Sequence, residues 1–417
     1  MTEEKVLGMK PEAGRWMFVL VGLLMNLCLG AVYAFSVFRK PLEGLWGISA
    51  TQAGLPFMVF LAMFALFMAL AGGLVSAWGP RKTSLLGAIL VGAGWILAGL
   101  APDILWLTIF YGVIGGSGVG ILYGCPIAVA AKWFPDKKGL AVGLTLAGFG
   151  LSALLMAPLM PKTIAMETVG ISKTFMYFGA AFLAVLLALS FALRNPKADW
   201  KPAGWKGATA KGAAVVELDR GQMLRTPTFY ALWGSYIVGC LAGLMAIGIA
   251  APVGREVAKL TPEAAAVAVS MFAVFNGIGR PLYGWLTDKI SPRGTALLSF
   301  TLILGASALL YFAGEGNTAV YFVAFSILWL NLGGWLAIAP TATATFFGAK
   351  HYAKNYGIVF TAYGIGAILG SLLSGMIHDA AGSYLPVFVP VMGLAVVGFV
   401  VALVGLRPVA AAQKAKN

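Results

Sequence analysis

The sequence predicts an all-α integral membrane protein, with twelve transmembrane helices in two pseudo-symmetric bundles of six. Three observations predict it. Mean hydropathy is +0.89, and 60% of residues are hydrophobic while 11% are charged, a balance foreign to water-soluble domains. The apolar residues fall into twelve stretches, each close to or above the roughly 20 residues that cross a hydrocarbon core. A polar interruption near residues 195–227 separates six stretches from six.

In order, the stretches lie near 16–38, 51–78, 83–101, 104–131, 139–161, 174–193, 228–252, 263–287, 295–314, 317–347, 355–377 and 383–406. The first, from Trp16 to Phe38, is longer than a signal-peptide core and has no cleavage-like end, so it is expected to remain as span 1. The expected organisation is a bundle over 1–194, a linker over 195–227 and a bundle over 228–417. Cys28, Cys125 and Cys240 are far apart, each within an apolar stretch, which reads as packing and not as a disulfide or metal set. No cofactor or metal is expected.

Placing the N-terminus in the cytoplasm puts 22 of the 29 Lys and Arg residues on that side, among them Lys5, Arg15, Lys138, Lys206, Lys211, Lys350, Lys414 and Lys416. Six remain outside: Arg39, Lys40, Lys162, Lys173, Arg255 and Lys259. This bias predicts cytoplasmic termini and linker in a cell (inner) membrane. The net charge of +14 is scattered through short loops and forms no basic stripe, which argues against a nucleic-acid partner.

The two halves repeat. GGLVSAWGPRK (Gly72 to Lys82) follows span 2 and YGWLTDKISPR (Tyr283 to Arg293) follows span 8, and aligning Gly72 with Gly284 gives a period of 212 residues. A second echo pairs KWFPDKKGLAVG (Lys132 to Gly143) with TFFGAKHYAKNYG (Thr345 to Gly357). Parallel repeats imply a substrate site between the halves, worked by rocking one against the other.

Arg280 is the remaining cation. It lies eight residues before Asp288, hence about 12 Å into the membrane, and by loop accounting it alone cannot reach an end of its segment. A cation at such depth costs roughly 2.5 to 3.5 kcal/mol. No Asp or Glu stands at matching depth, so a bound anion is the expected partner, and the guanidinium offers a carboxylate two parallel donors. Asn276, Arg280 and Tyr283 share a helix face. Pro281, with Gly277 and Gly279, is expected to kink or loosen this turn. Tyr33, Tyr123, Tyr363 and Phe360 are expected to supply hydroxyls and apolar walls. His351 and His378 read as loop residues.

Gly284, Leu286, Asp288, Lys289 and Arg293 resemble the cytoplasmic loop signature of the major facilitator superfamily, and the resemblance covers the whole chain. It implies that Asp288, Lys289 and Arg293 latch the inward gate; in the first half the signature acid is Ser76. WFPDKKGLAVGLTLAGFG (Trp133 to Gly150) resembles the motif leading into span 5 of monocarboxylate transporters and of oxalate and formate exchangers, where small residues allow close helix approach. Arg280 matches the substrate-binding arginine of both groups. Tyr363 stands where the oxalate exchangers carry a second cation, which points to a substrate of single charge. Asn276 stands where monocarboxylate transporters usually carry a proton-accepting aspartate.

The reading is therefore a secondary active transporter of small monocarboxylates such as lactate or pyruvate, coupled to a proton and working as a monomer. Its alternative is an anion exchanger of the oxalate and formate type. A membrane enzyme would need paired acids, a metal cluster or an activated nucleophile, and the spans offer none. The glycine runs GFG and YGIGAILG follow no strand, which removes a nucleotide cradle.

Overall fold

A computed structural model describes residues 6, 9–197, 200–202, 217–348 and 351–409. Among them, eleven helices are long and apolar enough to cross a membrane, and one of these, Pro262–Ala313, is two helices broken at Ser291. The chain thus crosses twelve times in two bundles of six, each helix overlapping one expected stretch. An even number of crossings puts Lys10 and Arg407 on one face, called the terminal face; Lys40, Glu256 and His378 mark the opposite face.

The repeat is written into the backbone. Within the helix Ala50–Ala98, Gly79 departs from helical geometry at φ 76°, ψ 168° and separates spans 2 and 3. Within Pro262–Ala313, Ser291 departs at φ 76°, ψ 159° and separates spans 8 and 9. The two breaks stand 212 residues apart, each followed by a proline, Pro80 and Pro292. Each is closed by the same bond: Thr83 Oγ1 donates to the Gly79 carbonyl at 2.9 Å, and Thr295 Oγ1 to the Ser291 carbonyl at 2.9 Å. Pro281 was expected to disturb span 8, but the helix keeps its geometry there and breaks at Ser291.

Between membrane helices, small residues set how closely backbones approach. A Cβ on Gly148 of span 5 would strike the Leu23 carbonyl of span 1, and one on Gly333 of span 10 would strike the Asn276 carbonyl of span 8. Large apolar side chains such as Phe312, Leu105 and Val404 face outward, as a lipid-facing perimeter requires.

Two seams join the halves. Spans 2 and 11 meet along their length, with Gly375 against Thr51 and Gly364 against Ala62 and Ala65. Spans 5 and 8 meet at Gly150 and Gly277. Past Arg280 toward the terminal face this second seam loosens: a Cβ on Gly143 meets nothing within 4 Å.

Of the cations used for topology, Lys5, Lys206, Lys211, Lys350, Lys414 and Lys416 lie outside the described residues, as do the side chains of Lys138 and Ser76 and linker residues 198, 199 and 203–216. The described end of the linker forms a short helix, Arg220–Leu224, started by a reciprocal cap between Asp219 and Gln222.

Candidate functional site

Arg280 projects from span 8 toward the first half and is 6% exposed. Its Nη1 donates to the Leu146 carbonyl of span 5 at 2.9 Å. Its Nε and Nη2 are buried without a hydrogen-bond partner. These two nitrogens form one edge of the guanidinium, the side-on fork that receives both oxygens of a carboxylate. The bond to Leu146 ties the group to span 5 and leaves this edge turned away from that carbonyl.

Around that edge stand aromatic rings. The Phe149 ring centre is 6.0 Å from the guanidinium carbon, and the phenols of Tyr33 and Tyr123 feel its charge, Tyr123 within hydrogen-bonding reach of it. Tyr33 and Tyr363 share a hydrogen bond of 2.8 Å between their hydroxyls, linking span 1 to span 11. Phe360 stacks on Tyr363 at 5.0 Å, and Phe64 of span 2 lies 5.0 Å from Tyr123 and 5.6 Å from both Phe360 and Tyr363. Span 11 runs from Tyr352–Val359 into Thr361–Ala381 through Phe360, whose backbone stays helical at φ −66° and ψ −17°.

The structure gathers Arg280, Tyr33, Tyr123, Tyr363 and Phe360, and it divides the expected polar stripe. Asn276 is fully buried; its amide donates to the Trp329 carbonyl of span 10 at 3.1 Å, while its Oδ1 faces Gly150 without a hydrogen-bond partner. Tyr283 donates to Asn331 Oδ1 at 2.7 Å, which also accepts from Ser299 at 2.7 Å, so spans 8, 9 and 10 are stapled together. Sequence reasoning missed Phe64, Phe149 and Trp329, the last lying 6.5 Å from Tyr33. The repeat register held a signal for one of them: Phe64 is 212 residues before Asn276.

The expected gate residues lie elsewhere. Asp288 and Lys289 are exposed, Arg293 is half-buried, and among the described residues none of the three forms an ion pair. Charged contacts that join the halves stand on the opposite face. Lys40 of the first half pairs with Glu256 at the end of span 7, and with Glu43 at 2.8 Å. Asp379 of span 11 accepts from the amides of Ala50 and Thr51, at 2.9 and 3.2 Å, capping span 2 across the boundary. Two readings are corrected here. Arg39, expected in an external loop, is buried in the helix Ser36–Trp46 and donates to the carbonyls of Gly248 and Ala50. His378, expected in a loop, sits in the last turn of the span 11 helix and bonds Glu256 at 2.9 Å. At the terminal face Arg15 clasps Asp136 through two bonds of 2.6 and 3.0 Å and lies over the Phe134 ring. That clasp holds the Asp136 carboxyl below the usual carboxylate range.

The chain matches the Major Facilitator Superfamily over residues 19–340 and 243–417. It is 31% identical over 371 residues to the oxalate:formate antiporter of Oxalobacter formigenes, covering 88% of this chain and 86% of that one. It is 26% identical over 391 residues to monocarboxylate transporter 13 of Rattus norvegicus, covering 91% and 86%. Among solved structures, the nucleoside transporter NupG superposes with a TM-score of 0.71 at 12% identity, covering 94% of this chain and all of that one. A bacterial homologue of the lysosomal transporter Spinster does so at 0.66 and 18% identity, covering 94% and 95%; at such identities the likeness concerns the fold. With a repeated six-helix bundle and a buried, half-satisfied arginine between the halves, the chain belongs to the major facilitator superfamily, as a transporter and not an enzyme, similar to the monocarboxylate transporters and the oxalate:formate antiporter.

Proposed function

We propose that this protein moves small monocarboxylates, such as lactate or pyruvate, together with a proton by alternating access. The observation that carries the reading is the free edge of Arg280, Nε with Nη2, buried among aromatic rings. At an effective dielectric near 20, a carboxylate about 4 Å away gains roughly 4 kcal/mol, comparable with the roughly 2.5 to 3.5 kcal/mol of keeping the cation at depth. Arg280 binds the carboxylate; Tyr33, Tyr123 and Tyr363 present hydroxyls and Phe360 an apolar wall, while Asn276 ties span 8 to span 10 one turn away. Asp288, Lys289 and Arg293 close the terminal face in the other half of the cycle.

A phenol, Tyr363, stands where a second cation would serve a second carboxylate, which supports a singly charged anion. With Asn276 in place of an acid, the proton travels with the anion, protonating the carboxylate in the low-dielectric site. The basic bias places both termini and the linker 195–227 in the cytoplasm of an inner-membrane protein, between bundles 1–194 and 228–417. One chain holds the whole site, which supports a working monomer.

Exchange is the second reading, favoured by the likeness to the oxalate:formate antiporter. Uptake of labelled lactate into proteoliposomes after a pH jump separates the two. Symport gives net uptake into empty vesicles with alkalinisation outside; uptake that needs internal anion and moves no proton favours exchange. Uptake unchanged in Arg280→Lys overturns both.

A further inference from the structure

Arg39 crosses between the halves in the opposite sense to Arg280. Arg280 of the second half donates through Nη1 to the Leu146 carbonyl of the first. Arg39 of the first half, 1% exposed, donates through Nη1 to the Gly248 carbonyl of the second at 3.1 Å, while Nη2 holds Ala50 in its own half. Its Nε is buried without a hydrogen-bond partner, and among the described residues its guanidinium forms no ion pair. Arg39 follows Tyr33 by six residues, which places it about 9 Å further toward the opposite face. Lys40, next in the chain, pairs with Glu43 of its own half and Glu256 of the other.

With this face closed, the charges around Arg39 and Lys40 are Glu43 from the first half and Glu256 and Asp379 from the second, with His378 bonded to Glu256. Separating the halves withdraws Glu256, Asp379 and the Gly248 carbonyl together. The first half then keeps two cations and one acid, with Arg39 Nη1 and Nε unpaired and Lys40 short of one carboxylate. Donors of this kind form their strongest bonds with carboxylate oxygens. We propose that Arg39 and Lys40 form an anion-capture site on the opposite face, filled by oxygens of the second half while that face is closed and by a small carboxylate when it opens. A cavity of about 450 Å³ between the halves already reaches Lys40; Arg255 and Glu263 stand at its other wall, and Ser36, which also lines it, holds a buried Oγ without a hydrogen-bond partner. The incoming anion and the closed face compete for the same donors, so an anion outside favours opening. The proposal rests on the transport reading for the separation of the halves, and it adds a first binding step before Arg280.

With the termini in the cytoplasm, entry of labelled lactate into intact cells loads the opposite face, and efflux from preloaded cells loads the terminal face. Arg39→Gln is expected to raise the KM for entry about tenfold, the worth of one charge-assisted bond, and to leave that for efflux unchanged; Arg39→Lys should restore part of the loss. A residue that only locked the face would act with the other sign, because unlocking exposes the site outside and lowers the KM for entry. An entry KM that falls or stays the same, or one that rises equally in both directions, overturns the proposal. Where Arg39→Gln does not fold, Lys40→Gln leaves the buried arginine in place and carries the same expectation. Spin labels at Leu45→Cys and Glu315→Cys, exposed positions in the two halves, read this face directly in Arg280→Gln, with Cys28, Cys125 and Cys240 replaced by serine. Lactate at constant ionic strength is expected to lengthen the distance, at about tenfold higher concentration once Arg39→Gln is added. No lengthening, or an unmoved midpoint, overturns the proposal. Lengthening without lactate movement by the wild type defeats the transport reading and leaves the capture site standing.

Discussion

Tyr33 and Tyr363 are 330 positions apart in the chain and hydroxyl to hydroxyl in space, at 2.8 Å across the boundary between the two bundles. This bond belongs to the state in which spans 1 and 11 meet. Tyr33→Phe is expected to weaken that state by about 0.5 to 1.5 kcal/mol, the usual worth of one hydrogen bond. The check is the distance distribution between labels on spans 1 and 11, with lactate affinity measured in parallel.

Tyr363→Lys should change what is carried. A second cation beside Arg280 supplies the partner that a dicarboxylate lacks, so oxalate uptake should rise relative to lactate by about tenfold or more, equivalent to about 1.4 kcal/mol. Competition between labelled lactate and unlabelled oxalate in proteoliposomes measures it. An unchanged ratio would mean that Tyr363 does not set anion charge.

Arg280→Lys keeps the charge and loses the planar fork. Nη1 now holds the Leu146 carbonyl while Nε and Nη2 stay free; a lysine reaches one partner as a point charge. Lactate uptake is expected to fall at least about tenfold with helical circular dichroism intact.

The twelve crossings, the repeat and the buried arginine were legible because each rests on composition and period, which a membrane imposes on every span. Phe64, Phe149 and Trp329 were not legible: in a chain with 26 phenylalanines and 12 tryptophans, an aromatic ring in a span carries no mark that separates a site wall from packing. Arg39 and His378 were misplaced for a different reason. Both lie near span ends, where a polar residue reads as loop, and only the approach of Gly248 and Glu256 from another span reveals their burial.

Ser291 holds φ 76° and ψ 159°, a conformation open essentially to glycine and costing other residues about 1 to 3 kcal/mol. Its first-half counterpart is Gly79. Ser291→Gly should raise thermal stability by about 1 kcal/mol, reduced by loss of the weak bond from the Gly294 amide to Ser291 Oγ. Gly79→Ser should lower it. Thermal unfolding in detergent reads both.

Acid should loosen the terminal face through Asp136. Its folded pKa is depressed by the Arg15 clasp, so the contribution is complete above the unfolded value of about 3.9 and is lost as pH falls through the lower folded value. Asp136→Asn should remove that part of the acid dependence of unfolding while leaving the Arg280 site intact.

The matched breaks at Gly79 and Ser291 also fix which first-half residue corresponds to Arg280 in the repeat. Counting back the same 212 positions leads to Met68, a thioether where the second half carries its cation. The duplicated frame is two-fold, but the buried cation is not: the second half carries Arg280, while the first contributes the Leu146 carbonyl that holds it, the Tyr33 and Tyr123 phenols and the Phe149 ring. On the transport reading proposed above, an anion paired with Arg280 would travel with the second bundle while the first moves past it.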